Sequence, residues 1–259
     1  MYSENLILNA IESGIYELVI SQPKKRNALN ARMWADLPLI LGEAKAKKDL
    51  KVLIVRGEGE HFASGADISE FETLYATRES SAKISEHISA GFAALAEFPL
   101  PTIALIRGAC VGGGCGIALC CDILFSDDTA KFAITPAKLG LVYPFADVQR
   151  LIETVGISNA KDLLFSARAI TPAQAEDMGL INQCFRPEQL QDEVMSYARS
   201  VAALSRQSHR VTKSMFAAYQ QGQFGENAQT MDWFMDGFVS RDFQEGYRAF
   251  LEKRKPDFS

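Results

Sequence analysis

Histidine is scarce in this sequence, with three copies, and the five cysteines are an odd number. Four of those cysteines, Cys110, Cys115, Cys120 and Cys121, crowd into one apolar segment. They lack the C-x2-C pairing and polar flanks that zinc ligands keep, so no metal centre is expected. Small buried side chains in a reducing cytoplasm are the better reading, for Cys184 as well. Positive charge is not in excess either: the net charge is -5 and the pI near 5.4, which argues against nucleic-acid binding. No apolar run reaches the ~18 residues of a membrane span. The opening Met1-Tyr2-Ser3-Glu4-Asn5 has no basic stretch leading into an apolar one, so neither a secretory signal nor a membrane partner is expected.

What is present belongs to an ordinary globular chain, 47% hydrophobic and 23% charged over 259 residues. That length gives one domain, or one domain with an appendage. Ile15 to Ile20 reads as a strand, and Asn30 opens a helix reaching to about Asp49, with Leu37, Leu41 and Ala44 at helical spacing. Lys51 to Gly57 is a short apolar run closed by glycine, as in a buried strand. Ala82 to Glu97 reads as an amphipathic helix stopped by Pro99 and Pro101, and Thr102 to Ile106 as the next buried strand. Gly112 to Cys121 suits a closely packed helix, followed by a strand over Asp122 to Ser126. Alternation of strand and helix to about residue 185 predicts an α/β fold. From Pro187 the chain reads as wholly helical, with stops at Gly222 and Gly225. A soft boundary near residue 200 separates a core (1–200) from a helical region (201–259).

Two glycine-rich stretches stand out: Phe62-Ala63-Ser64-Gly65-Ala66-Asp67-Ile68 and Val111-Gly112-Gly113-Gly114-Cys115-Gly116. Either alone has a plain explanation as a tight turn or close backbone approach. Both, however, follow a strand and lead into a helical start, where peptide N–H groups are left free. Two such turns suit a main-chain oxyanion hole, in which one donor is worth roughly 3–4 kcal/mol of transition-state stabilisation.

These stretches, with Arg26-Asn27-Ala28-Leu29, Gln149-Arg150-Leu151 and the ending Asp242-Phe243-Gln244-Glu245-Gly246 and Phe250 to Pro256, resemble the crotonase superfamily, the enoyl-CoA hydratase/isomerase family. The resemblance runs in order over nearly the whole chain. It implies a spiral of ββα units, a helical C-terminal region that builds trimers or pairs of trimers, and a coenzyme A thioester as substrate with no further cofactor. It also implies an enolate held by two peptide N–H groups, which by position are those of Ala66 and Gly113. The coenzyme A would meet Arg26, Ala28 and Leu29 on one segment and Ala63, Ala66, Asp67 and Ile68 on the other. Phe250 and Lys253 would reach the nucleotide bound to a neighbouring subunit. Lys24, Lys25 and Arg26 form a basic cluster suited to its phosphates, or equally a solvated charge run.

The pattern breaks where hydratases of the family keep two glutamates that activate water. Gly116 stands at the first position and Ala137 at the second, and neither side chain can move a proton. A later carboxylate position used by isomerases holds Pro144, with Tyr143 before it and Asp147 beyond; Lys138 could equally be a surface charge. Thr135 to Tyr143 resembles the methylmalonyl-CoA decarboxylase branch, although that branch has a histidine where Ala66 stands and a glutamate at Gly116. Decarboxylation needs a hydrogen-bond donor rather than an activated water, a role a phenol fills at neutral pH. Tyr143 is therefore the candidate proton carrier, with Asp147 beside it. The alternative reading of Tyr143 is a turn aromatic with its hydroxyl in solvent. His61, His87 and His209 have no serine or cysteine partner in a nucleophilic motif. The stripe Met231, Trp233, Phe234, Met235 and Phe238 reads as core or subunit contact. The sequence thus favours an isomerase or decarboxylase of acyl-CoA over an ordinary hydratase, the alternative being a catalytically silent acyl-CoA-binding homologue.

Overall fold

A computed structural model describes residues 3–258; Met1, Tyr2 and Ser259, at the ends of the expected N-terminal and helical segments, lie outside the described residues. The main sheet has six strands in the order β1 (Leu6–Glu12), β2 (Ile15–Ile20), β3 (Val52–Gly57), β4 (Thr102–Ile106), β6 (Ile123–Asp127) and β8 (Gln183–Phe185). Only the β1–β2 hairpin is antiparallel; the remaining neighbours run parallel. A second, narrow layer pairs β5 (Ala109–Val111) with β7 (Lys131–Ala133), and single bridges extend it through Ala63–Cys110, Leu29–Ala66 and Phe132–Ile170.

Alternation along the central strands sorts the core into two clusters. Val52 and Ile54 of β3 face one side with Ile103 and Leu105, where α7 (Pro187–Ala202) lays down Leu190, Val194 and Ala198. Leu53 and Val55 face the other, under α1 (Ala31–Ala46) and α3 (Arg78–Ala96). α1 starts where Asn30 caps it, its side chain accepting the Met33 N–H at 2.9 Å, and it buries Met33, Trp34, Leu37, Ile40, Leu41 and Ala44 on one face. The short α2 (Phe71–Leu74) precedes α3, which begins at Arg78 because Thr77 and Ser80 form a capping box; the apolar spacing alone had placed that start at Ala82.

The chain winds as a spiral. Each turn passes from a strand of the main sheet to a segment of the narrow layer and then into a helix. β2 leads by Leu29 to α1, β3 by Ala63–Ala66 to α2 and α3, and β4 by β5 to α4 (Gly113–Leu119). β6 then leads by β7 to α5 (Phe145–Ser166), which is interrupted at Gly156 (φ 75°). α6 (Pro172–Asp177) precedes β8. The expected ββα spiral is thus what the chain forms. Beyond α7 lie α8 (Arg206–Gln220), α9 (Ala228–Phe238) and α10 (Arg241–Leu251), among whose residues only Ala249 is buried. Gly222 follows α8 as expected, but Gly225 ends no helix: it sits in the turn before Asn227, which caps α9. Met231, Phe234, Met235 and Phe238 are exposed in the single chain, so the stripe is not core.

Candidate active site

The first of the two glycine turns is tied down by backbone bonds on every side. Leu29 donates to the Gly65 carbonyl at 2.7 Å and accepts from the Asp67 N–H at 2.8 Å, so the Ala66 N–H between them turns to the opposite side. Ala63 donates to Ala109 and accepts from Val111, and Ser64 donates to the Arg26 carbonyl. Asn27, fully buried and at φ 57°, accepts the Gln22 N–H and donates to the carbonyls of Glu58 at 2.9 Å and His61 at 2.6 Å. One amide side chain therefore joins the Arg26–Leu29 segment to the stretch feeding the turn, a role that the sequence motif contains but does not announce.

The second turn presses against the first. Gly112 (φ 54°, ψ −119°) adopts a conformation open to glycine and donates to the Ala133 carbonyl at 2.8 Å, which sets the start of α4. Gly65 (φ 96°) abuts it: a Cβ there would stand 2.9 Å from the Val111 carbonyl oxygen and 3.0 Å from the Gly113 nitrogen. A Cβ on Gly114 would come within 2.1 Å of the Ala63 carbonyl oxygen. Ala66 and Gly113 are thereby brought together, and among the described residues neither N–H has an acceptor. The Gly113 N–H also sits at the N-terminus of α4, where the helix dipole favours negative charge.

From β7 the chain passes directly along this turn. The Thr135 hydroxyl lies 3.4 Å from where a Gly112 Cβ would be, and the Pro136–Leu139 turn follows. That turn carries Pro136 and Ala137 into the wall of a cavity of about 190 Å³, completed by Leu141, Val142, Tyr143, Val148 and Leu164. The lining is apolar apart from Tyr143. The Tyr143 hydroxyl is buried without a hydrogen-bond partner, so the reading that left it in solvent does not hold. Burial, reinforced by the nearby Asp147 charge, pushes its phenol well above the ordinary value, which keeps it protonated as a donor. Asp147, itself buried in the first turn of α5, is bonded by Arg150 at 2.9 Å. Burial raises its carboxyl, and Arg150 offsets that only in part.

Other candidates separate cleanly. Lys25 bonds Asp67 at 2.6 Å and Ser69 at 3.0 Å, so it braces the turn, whereas Lys24 and Arg26 are exposed. Burial raises the Asp67 carboxyl, but the bonds from Lys25 and Ser69 outweigh it and hold the group below its usual value. Ala28 and Leu29 are buried, with Leu29 paired to Ala66, and Ile68 is exposed. Lys138 is exposed. His61 accepts the Ala109 N–H through Nδ1 at 3.2 Å and lines a separate cavity with Arg56, Arg107 and Gln191. His209 lies on α8, and His87 is half-buried on α3. Phe250 is 83% exposed at the end of α10, and no hydrogen bond or ion pair among the described residues joins the exposed Lys253 side chain to the turns. Missed by sequence reasoning were Trp34 and Phe92, whose rings meet edge to face at 5.3 Å beneath the second turn; a tryptophan and a phenylalanine on helices carry no signal beyond core packing.

The profile of the enoyl-CoA hydratase/isomerase family matches residues 10–259, nearly the whole chain. The chain belongs to that family. It is 33% identical to a crotonyl-CoA hydratase of Syntrophomonas wolfei, over 100% of this chain and 99% of that protein. It is 28% identical to a peroxisomal Δ(3,5)-Δ(2,4)-dienoyl-CoA isomerase of Arabidopsis thaliana, over 98% and 96%. Among solved structures it superimposes on an enoyl-CoA hydratase/isomerase family protein from Hyphomonas neptunium with a TM-score of 0.95 and 40% identity, covering 98% and 97% of the two chains. The protein is accordingly a lyase or isomerase of the family, acting on acyl-CoA. Among the described residues no helix is long and apolar enough to cross a membrane, and no three potential ligands are grouped for a metal ion.

Proposed function

We infer that the protein generates an enolate from an acyl-CoA thioester by isomerisation or decarboxylation, not by adding water. The Ala66 and Gly113 N–H groups hold the thioester oxygen as it gains charge, with Ala63, Leu29 and the Lys25-braced Asp67 shaping the entry for coenzyme A. In decarboxylation the carbon–carbon bond to a carboxylate breaks, its electron pair enters the thioester as the enolate, and the Tyr143 hydroxyl gives the α-carbon its proton. In isomerisation a base must also take a proton, and Asp147 is the neighbouring carboxylate. The observation that carries this reading is the buried, unpartnered Tyr143 hydroxyl on an apolar cavity walled by Pro136 and Ala137, with Cys115 and Cys120 of α4 nearby. The glycine and alanine at positions 116 and 137 support the exclusion of hydration.

The active assembly in this reading is a trimer or a pair of trimers. Its support is the apolar surface of the C-terminal helices, where Phe234, Met235, Phe238 and Val239 are 48–77% exposed in one chain. Phe250 and Lys253 then meet the nucleotide bound to a neighbour. No cofactor beyond the substrate's coenzyme A is required, and the thiols, of which four are buried, suit a reducing cytoplasm. The test is to incubate the protein with crotonyl-CoA, a 3-enoyl-CoA and methylmalonyl-CoA and to follow the products by mass spectrometry. Isomerised or decarboxylated product is expected, and Tyr143→Phe should lower its rate about 100-fold with coenzyme A binding unchanged. Hydration of crotonyl-CoA at ordinary hydratase rates would overturn the reading. No product from any of the three would favour the silent, acyl-CoA-binding alternative.

A further inference from the structure

Gly116 lies in the first turn of α4, three residues beyond the Gly113 donor, and the space beside it is already taken. A Cβ built on Gly116 would stand 2.5 Å from Phe92 Cζ, 3.0 Å from Cε1 and 3.1 Å from Cε2. All three atoms belong to the far end of one ring, so a side chain at 116 and the Phe92 ring compete for the same volume. The ring has little freedom to yield. Phe92 is 5% exposed and packs edge to face on Trp34, which is 1% exposed and itself lies 3.1–3.3 Å from where a Gly113 Cβ would be. α3 is held at this depth by Gly91, the neighbouring residue, where a Cβ would stand 3.1 Å from Leu37 Cδ2 of α1. A close approach between two helices thus seats the ring against the turn that carries the oxyanion donor.

We propose that Phe92 is the residue that determines which reaction this site performs, by filling with ring carbon the place where a carboxylate or a water would stand beside the donor turn. The missing glutamate is then half of a paired change: Gly116 makes room and Phe92 occupies it. A glutamate restored at 116 alone meets the ring and cannot serve an acyl group. This rests on the reading of the site as one that makes an enolate without water, and the two can fail separately.

The experiment has two arms. The first needs no substrate: the thermal midpoint is measured for wild type, Gly116→Ala, Phe92→Ala and the double variant. Gly116→Ala should lower the midpoint by on the order of 5 °C in wild type, the effect of overpacking, and should leave it unchanged or raise it when Phe92 is already alanine. The second arm follows formation of 3-hydroxybutyryl-CoA from crotonyl-CoA, with Ala137→Glu present throughout so that a second carboxylate lines the cavity. Gly116→Glu should hydrate at background, and adding Phe92→Ala should raise the rate at least about tenfold. Equal midpoint changes in both backgrounds would overturn the packing claim. Coupled midpoints without the gain in hydration would overturn the assignment of reaction choice to Phe92. Failure of the underlying reading would show instead in the unaltered protein, as hydration of crotonyl-CoA.

Discussion

The turns carrying Ala66 and Gly113 and the segment carrying Tyr143, which lies near Cys115 and Cys120 of α4, are held by different forces. The charge-holding side is built from main chain. Its two N–H groups are aimed by backbone hydrogen bonds to Leu29, Ala109, Val111 and Ala133, and by glycines at which a Cβ would strike neighbouring carbonyls. The proton-carrying side is built from side-chain burial: Tyr143 and Asp147 are enclosed, but Val142 is 91% and Phe145 82% exposed beside them. An electrostatic trap for a developing oxyanion needs fixed donors, which backbone supplies without titrating. A proton carrier needs its pKa set by its surroundings, which burial supplies. The two sides can therefore vary independently, so one scaffold serves several reactions.

Breaking the charge-holding side should have the largest effect. Gly114→Ala places a Cβ 2.1 Å from the Ala63 carbonyl oxygen and must push α4 away from the first turn. Turnover should fall 100-fold or more, about the value of one oxyanion donor, with a stability loss of about 3 kcal/mol in denaturant titration. Tyr143→Phe, the corresponding break on the proton side, should match the loss in turnover without the loss in stability. An equal drop in stability would show that the two sides are not separable. Asn27→Ala sharpens the contrast from within the backbone side: it leaves the Gln22 N–H and the Glu58 and His61 carbonyls to find other partners. About 2–3 kcal/mol of stability should be lost by chemical denaturation, with turnover falling only as far as the first turn loosens.

The smallest effect should come from Lys25→Ala, read through pH. The Asp67 carboxyl is held below its ordinary 3.8, so its contribution to stability is present above that value and disappears as pH falls through the folded value. Without Lys25 the acid-unfolding limb should move to higher pH. At pH 7 the half-exposed pair should be worth under about 1 kcal/mol. An acid limb that stays in place would show that Ser69 alone holds Asp67.

The same contrast explains what could be read from the sequence. Main-chain demands leave marks in residue type: Gly65, Gly112 and Gly114 are glycines because nothing else fits, and the apolar runs of β2, β3 and β4 are strands buried on both faces. These made the α/β alternation and the donor turns legible, whereas the spiral followed from the family resemblance alone. Strands of three residues such as β5, β7 and β8 are too short to show a period, and β1, mostly exposed along one edge, hides its pairing. Phe92 opposite Gly116 was invisible because neither residue's own helical pattern points to its partner on the next helix. The hydroxyl of Tyr143 had two readings in sequence, and only the surrounding cavity separates them.

The bond from Gly112 to the Ala133 carbonyl has a consequence in time. A chain emerging from the ribosome carries both Ala66 and Gly113 well before it carries Ala133. Until β7 arrives and docks beside β5, the second turn is held only from the side of the first, through Ala63. The donor pair is therefore set only once about half of the chain has been made, and a shorter nascent chain lacks the carbonyl that orients its second donor.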